Sequence, residues 1–313
     1  MAQFLNAVVA VCMLFCLMGV GYFMGAKGWL TASEKKFISR FVINIAVPFN
    51  ILYSLHHNIS ADDLSNALSM SVSAFTGILF TLFFCIGVAK LLKLPKKREG
   101  VFISMSFISN VLFIGLPVCT QLFGDAAVPY VMLYWVGNTI FTQTVALILI
   151  ERSGDGAAKK HTAGEFVKSL VTKPPIIGLV FAFSTLALGI RMPDFVMNFS
   201  KYMSNCVTPL ALIYCGYIIY EIGFKNIKLL PGIPVMVVIR LIISPVIAAF
   251  FCRIFGITGL CRDVFIVESA LPVVTQVTVM AGNFNADEEY AATGACISTL
   301  CMFVTLPILM LIL

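Results

Sequence analysis

The sequence predicts an all-α membrane protein whose ten transmembrane helices form two inverted five-helix repeats. Three observations support this prediction. The 313 residues are 60% hydrophobic and 12% charged, whereas a soluble domain carries about 25% charged residues. The apolar runs are about 20 residues long, which is the length of a helix that spans a bilayer. The two halves of the chain also share short patterns at a nearly constant separation.

Ten apolar segments are long enough to cross a bilayer. They cover residues 4–25, 36–55, 68–92, 100–123, 127–150, 174–190, 199–221, 233–255, 262–283 and 290–313. Segments one to five form the first predicted repeat, residues 1–150. Residues 151–173 form a polar cytoplasmic linker, and segments six to ten form the second repeat, residues 174–313.

Most Lys and Arg residues lie in one alternate set of loops, and this asymmetry predicts the orientation. The basic loops fall within residues 27–40, 90–98, 152–173 and 225–228, whereas the opposite loops carry only Arg191, Lys201, Arg253 and Arg262. Basic loops remain in the cytoplasm. We therefore expect a multi-pass plasma-membrane protein with both termini on the extracytoplasmic side. The first segment lacks the basic region and cleavage site of a signal peptide, so we interpret it as a span.

Three pairs of patterns indicate an internal repeat. They are Asn44-x-x-x-Pro48 with Asn205-x-x-x-Pro209, Arg98-Glu-Gly-Val-Phe-Ile with Arg262-Asp-Val-Phe-Ile, and the segment starts Tyr130 with Tyr290. Each pair is about 160 residues apart, as expected for one duplicated unit. Because a five-span unit has an odd number of spans, the second copy must enter the membrane from the opposite side. Inverted repeats of this kind place a binding site at interrupted helices.

Segment four is interrupted by Ser109-Asn110, and the repeat sets this interruption against Pro272 in segment nine. A helix broken within a bilayer must be buried in protein or line a cavity. Two facing breaks expose N–H groups at half-helix N-termini, which suit a carboxylate. We therefore predict a substrate site at Asn110. The prolines predicted as structural breaks are Pro48, Pro117 and Pro209.

Stretches in six of the ten segments carry a family resemblance. They are VINIAVPFNILYSL in segment two, SNVLFIGLP in segment four, residues 134–150 in segment five, RLIISP in segment eight, and ALPVVTQ and STLCMFVTLP in segments nine and ten. In order and spacing they resemble the auxin efflux carrier family, meaning bacterial malonate- and malate-permease-like carriers and the plant PIN-FORMED auxin exporters. The resemblance implies a ten-helix carrier in which helices four and nine cross at their breaks and bind a substrate carboxylate near the crossing.

The resemblance also implies roles for individual residues. Asn110 matches the crossover residue of helix four, Asn138 a polar amide position on helix five, and Pro272 the crossover proline of helix nine. Ser109 stands where the plant carriers have proline. The plant exporters support the site with an Asp and a Lys on helix three, whereas segment three here carries neither.

Glu268 precedes Pro272 by one helical turn, where the family pattern has a small apolar residue. A carboxylate inside a span is costly and is a functional candidate by default. Glu268 is therefore the coupling candidate, as a proton carrier or part of a cation site. The alternative is a pairing with Arg240 or a nearby polar group that only ties helices together. Arg240 itself is expected to snorkel or pair. Helical spacing puts Gln276 on the face of Glu268 and Pro272, which adds Gln276 to the predicted site.

These patterns predict a secondary transporter of a small organic acid anion or related weak acid, working by alternating access and driven by protons or membrane potential. Two alternatives remain: a sodium-coupled symporter of the bile-acid-transporter plan, and an amino-acid carrier. The expected partners are a small carboxylate substrate, the lipid bilayer and a second copy in a homodimer, with no nucleic acid.

The sequence has no phosphate loop and no clustered histidines within its spans. We therefore expect no enzymatic activity, no cofactor and no metal site. His56 and His57, followed by Asp62 and Asp63, are interpreted as a solvated loop rather than metal ligands.

Overall fold

The computed structural model describes residues 2–58, 67–154, 171–223 and 229–313, together with residues 164, 167 and 168. Twelve helices organise these described residues. They are α1 (Ala2–Ala26), α2 (Ala32–His57), α3 (Ala67–Leu92), α4 (Lys96–Phe107), α5 (Val111–Phe123), α6 (Asp125–Ser153), α7 (Pro174–Ala187), α8 (Asp194–Ile222), α9 (Ile233–Ile254), α10 (Gly259–Ser269), α11 (Gln276–Asn283) and α12 (Glu288–Ile312).

Among the described helices, six are long and apolar enough to cross a membrane: α2, α3, α6, α8, α9 and α12. Shorter apolar helices occur at Cys12–Ala26, Val111–Phe123 and Pro174–Ala187. The prediction of an all-helical membrane protein is therefore confirmed. Segments four and nine are each divided in two, giving α4 with α5 and α10 with α11.

Several of these helices widen locally into a π turn, which is common near functional sites. The π turns are Val42–Ala46, Val111–Gly115, Thr142–Ala146 and Ile239–Ile243. Pro117 follows the second of them and stands at the start of a regular helix, where its missing N–H costs little.

Pro48 and Pro209 require a correction, because neither ends its helix. The chain remains helical through Pro48 after a π turn, and α8 runs unbroken through Pro209. Proline is tolerated inside a membrane helix when neighbouring groups and local π adjustments satisfy the backbone it frees. A proline in the sequence is therefore a weaker sign of a break than a polar pair such as Ser109-Asn110.

The described chain divides into two compact units, each built from both halves of the sequence. The first comprises Met1–Ser69, Leu112–Leu133 and Ala163–Glu221. In this unit α1 and α8 approach closely through glycines. A Cβ on Gly21 would lie 2.0 Å from the carbonyl oxygen of Ile213, and one on Gly216 would lie 1.9 Å from that of Met18. Small residues allow membrane helices to pack this tightly without a hydrophobic driving force.

The second unit comprises Met70–Val111, Tyr134–Thr162 and Ile222–Leu313. Helices α4 and α6 meet at Gly100, where a Cβ would lie 2.0 Å from the carbonyl oxygen of Leu149. An ion pair joins Arg98 to Asp287, with 2.6 Å between Nε and Oδ2. The Arg98 guanidinium also lies 5.2 Å from the ring centre of Tyr290. The predicted substrate-binding and coupling residues all belong to this second unit.

Candidate functional site

The centre of the second unit is a crossing of two interrupted helices. Helix α4 ends at Phe107 and α10 ends at Ser269. Beyond these ends the two chains pair as an isolated antiparallel bridge between Ser109 and Val273. The Asn110 N–H donates to the carbonyl of Pro272 at 3.0 Å. Each break thus supplies main-chain partners to the other, which a bilayer interior cannot do.

Asn138 of α6 holds the first break in place. Its Oδ1 accepts a hydrogen bond from the Ser109 N–H at 3.2 Å, and its Nδ2 donates to the Ser109 carbonyl at 3.0 Å. Both residues are buried. The Thr142 hydroxyl donates to the Asn138 carbonyl at 2.6 Å, next to the π turn of α6. The Asn138 amide is therefore engaged by the backbone of the crossing itself.

Ser298 of α12 holds the second break in a comparable way. Its Oγ accepts a hydrogen bond from the Val273 N–H at 3.1 Å and donates to the Ala295 carbonyl at 3.0 Å. Sequence reasoning did not identify Ser298. The signal was available, because Ser298 follows Asn138 by about 160 residues, the separation that already relates the other repeated patterns.

Arg240 reaches the crossing from the π turn of α9, and its side chain is only 1% exposed. Its Nε donates to the carbonyl of Leu271 at 3.0 Å, and its Nη1 donates to that of Ser106 at 3.3 Å. Its Nη2 donates to the carbonyl of Ser269. Ser106 and Ser269 lie in the last turns of α4 and α10, so one guanidinium caps the C-terminal ends of both half-helices.

Glu268 and Tyr134 lie beside this cluster. Glu268 occupies the last turn of α10 and is fully buried, and Tyr134 of α6 is 4% exposed. The Tyr134 phenol lies close to Arg240, Glu268 and the Ser109 side chain. Its ring packs against Phe265 at a centroid distance of 5.7 Å. Tyr134 is therefore a further polar residue near Glu268 and the first break, and sequence reasoning did not single it out.

Gln276 requires a correction of its predicted position. Residues 270–275 are not part of a regular helix, so the helical spacing that grouped Gln276 with Glu268 and Pro272 does not apply. Gln276 is instead the first residue of α11, where its side chain is exposed. Glu268, by contrast, is fully enclosed. The two residues stand on opposite sides of the break in the chain and meet different surroundings.

A small cavity lies beside the Arg240 guanidinium. Its volume is about 10 Å³, which is room for about one water molecule. Its lining includes Ser73, Gly77 and Thr81 of α3, together with Tyr134. A cavity of this size does not hold a carboxylate.

Metal ligation receives no support within the described residues, where no cluster of three or more His, Cys, Asp or Glu side chains occurs. His56 instead has its Nε2 3.2 Å from the Thr185 hydroxyl. Asp62 and Asp63, named with the histidines in the sequence, lie outside the described residues.

Apolar helices long enough to cross a membrane and a buried crossing of two interrupted helices are features found in membrane transporters. A family model described as a membrane transport protein matches residues 6–310. An uncharacterized transporter of Methanocaldococcus jannaschii is 25% identical over 293 residues, covering 92% of this chain and 93% of that protein. An uncharacterized transporter of Methanothermobacter thermautotrophicus is 24% identical over 310 residues, covering 97% of this chain and 98% of that protein.

A plant protein is also similar. A probable auxin efflux carrier component 9 of Oryza sativa subsp. japonica is 23% identical over 168 residues, covering 50% of this chain and 37% of that protein. The chain belongs to the auxin efflux carrier family of membrane transport proteins. The family resemblance deduced from the sequence is therefore confirmed, and membership implies a transporter rather than an enzyme.

Proposed function

We propose that the protein is a secondary transporter that moves a small organic acid anion, or a related weak acid, across the plasma membrane by alternating access. The observation that carries this proposal is the hydrogen bond from the Asn110 N–H to the Pro272 carbonyl at the point where two helices are broken. Helix packing alone does not require two helices to be interrupted at the point where they meet. Paired helix breaks are the usual architecture of a substrate site in secondary transporters.

The electrostatics of the crossing favour an anionic substrate. Helices α5 and α11 begin just beyond the breaks, and the first N–H groups of a helix carry partial positive charge. Asn110 is the polar side chain at the start of α5, and Gln276 opens α11. We assign carboxylate binding to these two residues. Ser109, Pro272 and Asn138 shape the backbone that presents them.

The pairing at the crossing supports two inverted repeats, residues 1–150 and 174–313, joined by residues 151–173. The repeat makes Ser109 equivalent to Pro272 and Asn110 equivalent to Val273. The structure pairs Ser109 with Val273 and Asn110 with Pro272. Exchanging the two halves maps this pairing onto itself, as a twofold axis requires. Asn138 and Ser298 each bond to the main chain of one break, Asn138 to Ser109 and Ser298 to Val273.

The proposed orientation, with both termini outside, has a direct test. Alkaline phosphatase is active only outside the cytoplasm. Green fluorescent protein fluoresces in the cytoplasm but not after export through the general secretion route. We expect a C-terminal alkaline phosphatase fusion to be active and the fluorescent fusion to be dark. The opposite pattern would reverse the orientation that the basic loops indicate.

The substrate assignment is tested by a thermal-unfolding screen of the purified protein against malonate, malate, indole-3-acetate and a set of amino acids. A bound ligand raises the unfolding temperature of the folded state. We expect at least one carboxylate to stabilise the wild type and to lose this effect in Asn110→Ala. A ligand that stabilises both proteins equally would place its site elsewhere.

An amino-acid carrier is the second candidate, and the buried carboxylate of Glu268 favours it. A fixed anion near a carboxylate site repels a simple acid, whereas it attracts the ammonium group of an amino acid. The same screen separates the two candidates. Stabilisation by amino acids, but not by malonate or malate, would support the amino-acid carrier.

A further inference from the structure

Arg240 brings a permanent positive charge to the place where two broken helices end. Its nitrogens donate to the carbonyls of Ser106, Ser269 and Leu271. The first two carbonyls belong to the last turns of α4 and α10. The last carbonyls of a helix lack intrahelical partners and carry partial negative charge. Two such ends side by side in a buried setting require a cation.

A mobile cation meets this requirement in many transporters of this architecture. There, unwound carbonyls and half-helix C-terminal ends coordinate the coupling ion. A guanidinium satisfies the same carbonyls with directed donors, and it remains charged at every physiological pH. Because the guanidinium is part of the chain, it neither exchanges with solvent nor responds to an ion gradient.

We infer that Arg240 is a tethered cation that fills a built-in cation site formed by the C-terminal ends of α4 and α10. The inference rests on the proposed transport function, since it concerns the coupling of that transport. Among the described residues that line the adjacent cavity, Arg240 carries the only formal charge. The cavity of about 10 Å³ leaves no room for a second, hydrated cation. We therefore expect no sodium ion to bind between these two helix ends.

The inference also predicts a site that appears when the side chain is shortened. In Arg240→Ala the three carbonyls lose their donors but keep their positions on two helix ends. The vacated space then accepts a small free cation, and guanidinium itself matches the lost group best. Arg240→Lys keeps the charge without the forked donors, so it retains part of the stability.

The test compares thermal unfolding of the purified protein in sodium, potassium, choline and dilute guanidinium chloride at matched ionic strength. The wild type should give the same unfolding temperature in sodium and choline. Arg240→Ala should unfold roughly 10 °C lower, because three buried acceptors lose their donors. Dilute guanidinium should restore a part of this loss, about 2–4 °C relative to the wild-type response. Arg253→Ala, an exposed arginine near the end of the same helix, is the matched control and should show neither effect.

Two results would overturn the inference. A saturable rise in wild-type unfolding temperature that is specific to sodium would reveal an open sodium site. Equal behaviour of Arg240→Ala and Arg253→Ala would show that the guanidinium does not hold the helix ends. If Arg240→Ala fails to fold, the wild-type salt series and Arg240→Lys still decide the question. No carboxylate is used, so failure here is distinct from failure of the acid screen.

Discussion

The side chain of Asn138 hydrogen-bonds both main-chain groups of Ser109, accepting from its N–H at 3.2 Å and donating to its carbonyl at 3.0 Å. A single amide thereby replaces the two partners that a continuous helix would have given Ser109. The neighbouring helix α6 thus stabilises the break between α4 and α5. An unpaired main-chain group would be costly there, because the site is buried away from water.

Asn138→Ala is expected to destabilise the second unit by about 2–4 kcal/mol, because a buried N–H and a buried carbonyl lose their partners together. Thermal unfolding in detergent measures the change. Thr144→Ala on the same helix is the control, since that hydroxyl donates to the carbonyl of Ile140 one turn back in its own helix. Equal stabilities of the two variants would mean that Asn138 does not support the break.

Ser298→Ala removes the acceptor of the Val273 N–H, and we expect a loss of about 1–2 kcal/mol. Thr299→Ala is a close control, because the Ser298 and Thr299 hydroxyls both donate to the Ala295 carbonyl. The Ser298 hydroxyl oxygen also accepts a hydrogen bond from the Val273 N–H at the crossing. Unfolding temperatures of the pair should therefore differ, and a larger loss in Thr299→Ala would contradict the role given to Ser298.

Gly100→Ala should be among the more damaging small substitutions. The added methyl would lie 2.0 Å from the backbone oxygen of Leu149, so α4 and α6 must move apart, at a cost of about 3 kcal/mol. Gly87→Ala is the matched control in α3, where nothing lies within 4 Å. There the helix should gain about 0.5–1 kcal/mol. Thermal unfolding of both variants checks the prediction, which fails if both change stability alike.

Glu268→Gln tests the coupling role by removing the charge at nearly constant shape. Substrate uptake into proteoliposomes is measured with and without an imposed pH gradient. We expect the gradient to stimulate the wild type and to leave Glu268→Gln unaffected, while exchange of substrate without a gradient persists. Asp263→Asn, on the same helix but paired with Arg262, is the control. Unchanged proton stimulation in Glu268→Gln would exclude this carboxylate as the coupling group.

The sequence predicted the break at Ser109-Asn110 and its partner at Pro272. The repeat sets Ser109 against Pro272, whereas the structure pairs Ser109 with Val273 and Asn110 with Pro272. The break at Ser109-Asn110 could be predicted because a polar pair within an apolar run is visible in the local sequence. Arg240 was harder to interpret, since its three carbonyl partners lie on segments far away along the chain and carry no side-chain signature. Gln276 was misplaced for a related reason: helical spacing assumes a continuous helix, and the break itself interrupts it.

The proposed transport function requires Asn110 to bind an organic anion at the crossing. Currents from proteoliposomes on a solid-supported membrane, recorded while carboxylates are added, test this most directly. We expect saturable currents for at least one carboxylate in the wild type. In Asn110→Ala the apparent affinity should fall at least about tenfold, because a hydrogen bond to a charged group is lost. Asn50→Ala, a buried asparagine bonded to Ser204 in the first unit, should retain wild-type affinity. An equal apparent affinity for the carboxylate in Asn110→Ala and the wild type would contradict a binding role for Asn110.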